Sequence, residues 1–291
     1  MPEPLKRRLT LYEKAVELSR KGCSQRKIAK ELGVAKRTVE VWLCGSRPKR
    51  VWRYEPDLTP SKDLAYVSGF YVGDGQSAGH EPKVRFNLAD KDQLEYVNGL
   101  VARILGREPK PWKFDGQFYS VDYDSVALSG FLNWRISRMI GYLKGFERDF
   151  LQGFFDAEGY VTCNVNQESK RLNGVHVGVA NTNREYLRAV RRLLGFKGLR
   201  CHFRMTNRQG QSMTIRGKTW VRRHDVFHVT ITSSDMVQCF GDLVGFRNTT
   251  KAEKLSDLLF VLELKPVERY DWFVSHYRKE GGKWLKIREQ G

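Results

Sequence analysis

Two stretches of this chain repeat one another 84 residues apart, and that repeat limits the fold more than any other feature. The first is Leu64-Ala-Tyr-Val-Ser-Gly-Phe-Tyr-Val-Gly-Asp-Gly75, and the second is Asp149-Phe-Leu-Gln-Gly-Phe-Phe-Asp-Ala-Glu-Gly159. In each, a glycine (Gly69, Gly153) is followed four residues later by a small residue (Gly73, Ala157), which places the pair on one face of a helix. Small residues there let two helix backbones approach closely, where bulky side chains would hold them apart. An acid follows (Asp74, Glu158). Then comes a glycine (Gly75, Gly159), expected to end the helix in the left-handed conformation.

An acid in a last helical turn faces the negative end of the helix dipole and costs a few tenths to about 1 kcal/mol. If the two helices pack side by side, both acids emerge at the same end, repel, and drive one of the pair to protonate. A divalent cation between them removes both penalties, and all-oxygen ligands favour magnesium, with manganese as a substitute, over zinc. Asp74 and Glu158 are therefore the candidate metal ligands, and Gly73 and Ala157, directly before them, are grouped with them.

The repeat runs beyond the motif. Val84-Arg-Phe-Asn-Leu alternates like a strand and leads into a helical pattern over 92–105, while Val175-His-Val-Gly-Val-Ala leads into one over 184–194. Phe118-Tyr-Ser-Val-Asp-Tyr and Phe227-His-Val-Thr-Ile-Thr each lead into a further helical segment, 125–132 and 235–243. Each half reads helix, strands, helix, strands, helix, so the expected fold is α+β with two αββαββα-type halves related by a pseudo-dyad. The first half is placed at 61–146 and the second at 147–265.

At this point the chain resembles the LAGLIDADG homing endonucleases of the monomeric, two-motif type, over roughly residues 60 to 265. The resemblance implies that the signature helices form the contact between halves, that two sheets form a saddle over duplex DNA, and that the terminal acids bind magnesium. Asp74 and Glu158 match those acids directly. Polar residues at the end of the strand after each motif are implied near attacking waters, and Asp90 and Asn181 match these loosely. Lys251 is the best match for a basic residue that stabilises charge near the final helix. Two departures stand out. Only eight residues separate Gly75 from Val84, against a full hairpin over 160–174, so the first half is expected to offer less surface to DNA. Val72 stands where the second copy has Asp156, which is read as structural.

The first fifty residues hold fourteen Lys and Arg against five Asp and Glu, a net +9 out of +18 for the chain of 291. Three helices are expected, over 9–21, 25–32 and 35–43, with Gly22 ending the first, Ser24 capping the second and Gly33 turning into the third. The run Ile28-Ala-Lys-Glu-Leu-Gly-Val-Ala-Lys-Arg-Thr-Val-Glu-Val-Trp resembles a helix-turn-helix core, with Val39 and Trp42 inward and Lys36, Arg37, Thr38 and Glu40 outward. That reads residues 1–50 as a helix-turn-helix DNA-binding domain whose third helix would enter a major groove. Residues 51–60 read as a linker, and Lys49 and Arg50, just before it, are expected along phosphates. Farther on, Arg204, Arg208, Arg216, Lys218, Arg222 and Arg223 alternate with polar residues in a segment expected to track phosphates and read bases. Residues 266–291 form a tail whose Trp272, Phe273, Tyr277 and Trp284 are expected to pack onto the body.

A charge of +18 predicts a polyanionic partner, and nucleic acid is the first choice. Five scattered cysteines without CxxC pairs argue against disulfides and structural zinc, which suggests a cytoplasmic, DNA-associated protein. The start has no apolar run that would mark a secretory signal, and no apolar run is long enough to span a membrane. Two motifs in one chain supply their own dyad, so a monomer on double-stranded DNA is expected. The leading function is site-specific, metal-dependent cleavage of both DNA strands. The competing functions are a non-cleaving transcriptional regulator on the same scaffold and an RNA splicing maturase.

Overall fold

The computed structural model describes residues 3–45, 56–77, 83–215, 218–280 and 283–287. Three helices come first: α1 (Glu3–Arg20), α2 (Gln25–Leu32) and α3 (Lys36–Leu43). The first starts earlier than its apolar spacing suggests, because Pro4 falls in the opening turn, where a missing N–H breaks no bond. Ser24 accepts the Lys27 N–H as the cap of α2, and Gly33, at φ +62°, closes it. Ala15, Ile28, Ala29, Val39 and Trp42 form a core of their own, separate from the core of the remaining chain.

The first half follows as α4 (Lys62–Asp74), β1 (Gln76–Ser77), β2 (Lys83–Leu88), α5 (Lys91–Ile104), β3 (Lys113–Phe114), β4 (Tyr119–Asp124), α6 (Val126–Leu132) and α7 (Ile136–Tyr142). The second half begins with α8 (Glu147–Glu158), β5 (Gly159–Asn166), β6 (Arg171–Asn181), α9 (Arg184–Phe196) and β7 (His202–Asn207). It continues through β8 (Ser212–Ile215), β9 (Lys218–Val221), β10 (Val226–Ile231), α10 (Ser234–Leu243) and α11 (Thr249–Glu263). Both halves build an antiparallel sheet in the same spatial order, β1-β2-β4-β3 and β5-β6-β10-β7. This is the α+β pseudo-repeat. In each sheet the alternate valines and other apolar side chains (Val84, Phe86 and Leu88; Val175, Val177 and Val179) turn inward to the core, and the intervening polar residues occupy the opposite face.

The halves meet along α4 and α8. A methyl group at Gly69 would run into the Phe150 carbonyl, and one at Gly153 into the Tyr66 carbonyl. At Gly73 it would lie 2.5 Å from Cβ of Ala157. The contact is therefore backbone on backbone, and the two acids leave it at one end. The glycines after the acids depart from expectation. Gly75 (φ −69°, ψ 142°) and Gly159 (φ −75°, ψ 152°) are extended and feed straight into β1 and β5 instead of turning left-handed. A side chain there is excluded for another reason. Cβ at Gly75 would collide with the Tyr71 ring, and at Gly159 with the Phe155 carbonyl and the Phe246 ring.

Trp272, Phe273, Tyr277 and Trp284 pack against the main core, as expected of them. Residues 266–286 include α12 (Pro266–His276) and the hairpin β11 (Tyr277–Glu280) with β12 (Lys283–Lys286). Phe273 and Tyr277 are fully buried, with Trp284 5.1 Å from the Phe273 ring. The Tyr277 hydroxyl donates to Asp257 at 2.7 Å, and Lys286 pairs with the same carboxylate at 2.8 Å.

Candidate active site

Asp74 and Glu158 end two helices that touch through glycine, so their carboxylates come within each other's field. Both are half-buried. Burial raises the pKa of Asp74, opposed by the charge of Lys251. Burial pushes Glu158 up to about 7, and the charge of Asp74 pushes in the same direction, against a hydrogen bond from Asn181 and the charge of Lys251. Asn181 Nδ2 donates to Glu158 Oε1 at 2.6 Å, and the Asn181 Oδ1 accepts the Asn183 N–H, which fixes the amide orientation.

Lys251 enters from the first turn of α11. Its ammonium donates to the carbonyls of Phe155 (3.3 Å), Asp156 (2.5 Å) and Ala157 (3.2 Å) in the last turn of α8. A cation at that end of a helix dipole is favourable. Burial lowers the pKa of Lys251, while the charges of Asp156, Asp74, Glu158 and Asp90 hold it up. The ammonium therefore lies in the field of both candidate acids.

Asp90 does not correspond to Asn181. Gly75 lines up with Gly159, and strand register then places Leu88, apolar and buried, where the second half has Asn181. Asp90 is the N-cap of α5 and matches Asn183, the N-cap of α9. Its Oδ1 accepts the Gln93 N–H at 3.1 Å and its Oδ2 accepts Asn248 Nδ2 at 2.8 Å. The counterpart of Lys251 by position is Arg138, also in the third position of its helix. Arg138 is exposed and stacks 3.8 Å over Trp134.

Asp156, read from sequence only as structural, is the hub of a buried network. It accepts the Tyr66 hydroxyl at 2.5 Å and the backbone N–H groups of Arg247 and Asn248 at 3.0 Å. Gln93 donates to the Tyr66 oxygen at 2.9 Å, and the Arg247 guanidinium lies 4.0 Å from the Tyr96 ring. The network ties the first half to the turn that launches α11, and so to Lys251. The one sequence clue was the mismatch between Asp156 and Val72.

The open face of the second sheet carries Arg204 beside His228, with Tyr160 bonded to His228 Nδ1 at 3.1 Å. Burial and Arg204 both lower the pKa of His176 and of His228. Beyond that face runs the separate β8–β9 ribbon, flanked by Arg208 and Arg223, both exposed, and half-buried Arg222. Trp220 and Val221 on the ribbon are 55% and 62% exposed, so both of its faces are bare at that point. Lys218 opens β9. Arg216, Lys49 and Arg50 lie outside the described residues. On α3, Lys36 and Arg37 are exposed and both pair with Glu40, at 3.1 and 3.7 Å, while Thr38 is half-buried.

Metal fit rests on donor chemistry. Among the described residues no group of three or more His, Cys, Asp and Glu side chains gathers at one point. The pair at 74 and 158, with neighbouring backbone carbonyls, offers oxygen alone, and its mutual repulsion is what a hard divalent cation relieves. Among the described residues no helix is long and apolar enough to cross a membrane.

Residues 145–245 match the family model described as the LAGLIDADG-like domain. The chain is 26% identical over 240 residues to an uncharacterized protein of Methanocaldococcus jannaschii, covering 80% of this chain and 84% of that one. It is 23% identical over 215 residues to glutamine–fructose-6-phosphate aminotransferase of the same organism, covering 69% of this chain but 18% of that protein, so this likeness is to a segment. Among solved structures, I-DmoI in complex with DNA and Mn matches 63% of this chain and 96% of its own at 18% identity (TM-score 0.44). The N-terminal LAGLIDADG domain of DUF199/WhiA matches 67% and 88% at 14% identity (TM-score 0.37).

Proposed function

We propose that this chain, whose residues 145–245 form a LAGLIDADG-like domain, is a metal-dependent endonuclease acting on both strands of duplex DNA. The observation that carries this reading is the acid pair at 74 and 158, held at one end of a glycine-lined helix contact, where burial, together with the charge of Asp74, pushes Glu158 up to about 7. Such an arrangement costs stability and has no structural use, which suits a site built to hold cations. A divalent ion held by Asp74 and Glu158 would neutralise a scissile phosphate and lower the pKa of a bound water.

The chain's own residues supply placement. Asn181 orients the Glu158 carboxylate. Lys251, anchored on three carbonyls, puts positive charge beside both acids, where negative charge grows on the phosphate in the transition state. Asp90 caps α5 and holds Asn248, so it supports the entry of α11. The basic strand faces, the β8–β9 ribbon, and Lys36, Arg37 and Thr38 of α3 would contact the duplex, and the two halves in one chain would act as a monomer.

A second reading, a DNA-binding regulator that does not cut, is favoured by one observation, the separately cored three-helix unit at the N-terminus. One experiment separates them. Full-length protein is incubated with magnesium and supercoiled plasmid carrying a library of candidate sites. The nuclease converts plasmid to linear product. Asp74→Asn and Glu158→Gln each lower cutting by at least a hundredfold and leave DNA binding within about threefold. Binding without cutting by the wild type would establish the regulator.

A further inference from the structure

The two strand faces that would lie on DNA are chemically unequal. Strands β5, β6, β7, β8, β9 and β10 contain no Asp or Glu, and the segments flanking the β8–β9 ribbon hold one acid, Asp225, whose Oδ1 accepts the Gln209 N–H, against Arg208, Arg222 and Arg223. On the open face of the first sheet, by contrast, the cations meet carboxylates of their own strands. Arg85 faces Asp122 across β2 and β4 and grips it with two hydrogen bonds, 2.6 and 3.0 Å, and Lys83 faces Asp124. Burial on that face is outweighed by Arg85, which holds the Asp122 carboxyl below its ordinary range, so it stays charged. The amount of surface differs too. The outermost strand β3 of the first sheet is two residues long, against six in its counterpart β7, and the β8–β9 ribbon is inserted in the chain between β7 and β10.

We infer that the second half of this chain supplies most of the affinity for DNA, through Arg204 and the arginines flanking the β8–β9 ribbon, while the first half docks weakly because Asp122 and Asp124 offset its cations. The inference rests on the DNA-binding part of the reading above. Phosphate contacts dominate affinity, and each cation that neutralises a phosphate adds to the salt dependence. A face without carboxylates gains these contacts with no repulsion to offset. A face whose arginine already grips a carboxylate gains few, but the carboxylate fixes that arginine's geometry. The first half is therefore the less adhesive of the two.

The test uses the full chain carrying Asp74→Asn and Glu158→Gln, so that DNA survives, in EDTA with random-sequence duplex. Affinity is measured across a salt series, with far-ultraviolet circular dichroism confirming the fold. Arg204→Ala with Arg223→Ala is expected to weaken binding more than tenfold and reduce the salt slope by about two. Arg85→Ala with Lys113→Ala is expected to weaken it less than threefold. Asp122→Asn with Asp124→Asn, which removes two negative charges and breaks the Arg85–Asp122 ion pair, is expected to tighten it several-fold. Equal losses from the two arginine and lysine pairs would overturn the inference and leave the nuclease reading intact, as would an unchanged affinity in the double asparagine variant. Failure of the parent chain to bind any duplex would overturn both.

Discussion

At the scale of single residues, the acid pair makes a prediction that needs no substrate. Glu158 has an ordinary pKa near 4.5 when unfolded and about 7 when folded, because burial and Asp74 disfavour its charge. Between those values the folded state binds the extra proton, so stability falls as pH rises through that window. The penalty is on the order of 2 kcal/mol after solvent screening. The melting temperature of metal-free protein is expected to drop from pH 4.5 to 7 relative to Glu158→Gln, in which this contribution is absent. Magnesium should restore it at pH 7. Parallel melting curves for the two proteins would exclude a coupled pair. Position 158 and its partner at 74 could be found from sequence, because the repeat names them. The reach of Lys251 could not, since nothing local says that its ammonium ends on three carbonyls 94 to 96 residues earlier. Asp90 misled for a similar reason. A polar residue near a strand end can face the site or cap the next helix, and only the register separates the two.

At the scale of elements, the α4–α8 contact is the most demanding packing in the molecule. Gly69 and Gly153 each lie against a carbonyl of the partner helix, where no flexible side chain can yield. Gly153→Ala is expected to cost about 3 kcal/mol, read as a lower denaturation midpoint with an unchanged slope. Gly130→Ala, at a helical site with open space, should cost nothing measurable beyond its effect on helix propensity. Helix spacing predicted this contact, because the small residues recur at one face. It did not predict how the helices end. Glycine at the C-terminus of a helix usually signals a left-handed cap, and here it signals crowding by Tyr71 and Phe155 as the chain turns straight into a strand. The polar hub at Asp156 was also illegible as such. Its partners Tyr66, in α4, and Arg247 and Asn248, in the turn before α11, come from two segments that only the tertiary fold assembles.

For the whole molecule, the separate core of α1–α3 predicts independence. Removal of residues 1–55 should leave the remaining chain with a cooperative melt and its cutting activity, while affinity for long duplex falls and the salt dependence weakens. Gel-shift and plasmid assays on the truncated chain check both parts, and loss of folding would show that the two cores support each other. The division into a small basic unit and two repeated halves was readable from glycine, charge and apolar spacing. The end of the chain was not, because its aromatic residues were too few and irregular to announce a helix and a hairpin that bury Phe273 and Tyr277 in the second half.

The glycine contact also works as a ruler. With main chain resting on main chain, the interval between residues 74 and 158 cannot be adjusted by swapping side chains. If the chain cuts both strands as proposed, the stagger between the two cuts is a property of the scaffold. Variants selected on the strand faces for new recognition sequences should all leave single-stranded overhangs of one length, however far their target preference drifts.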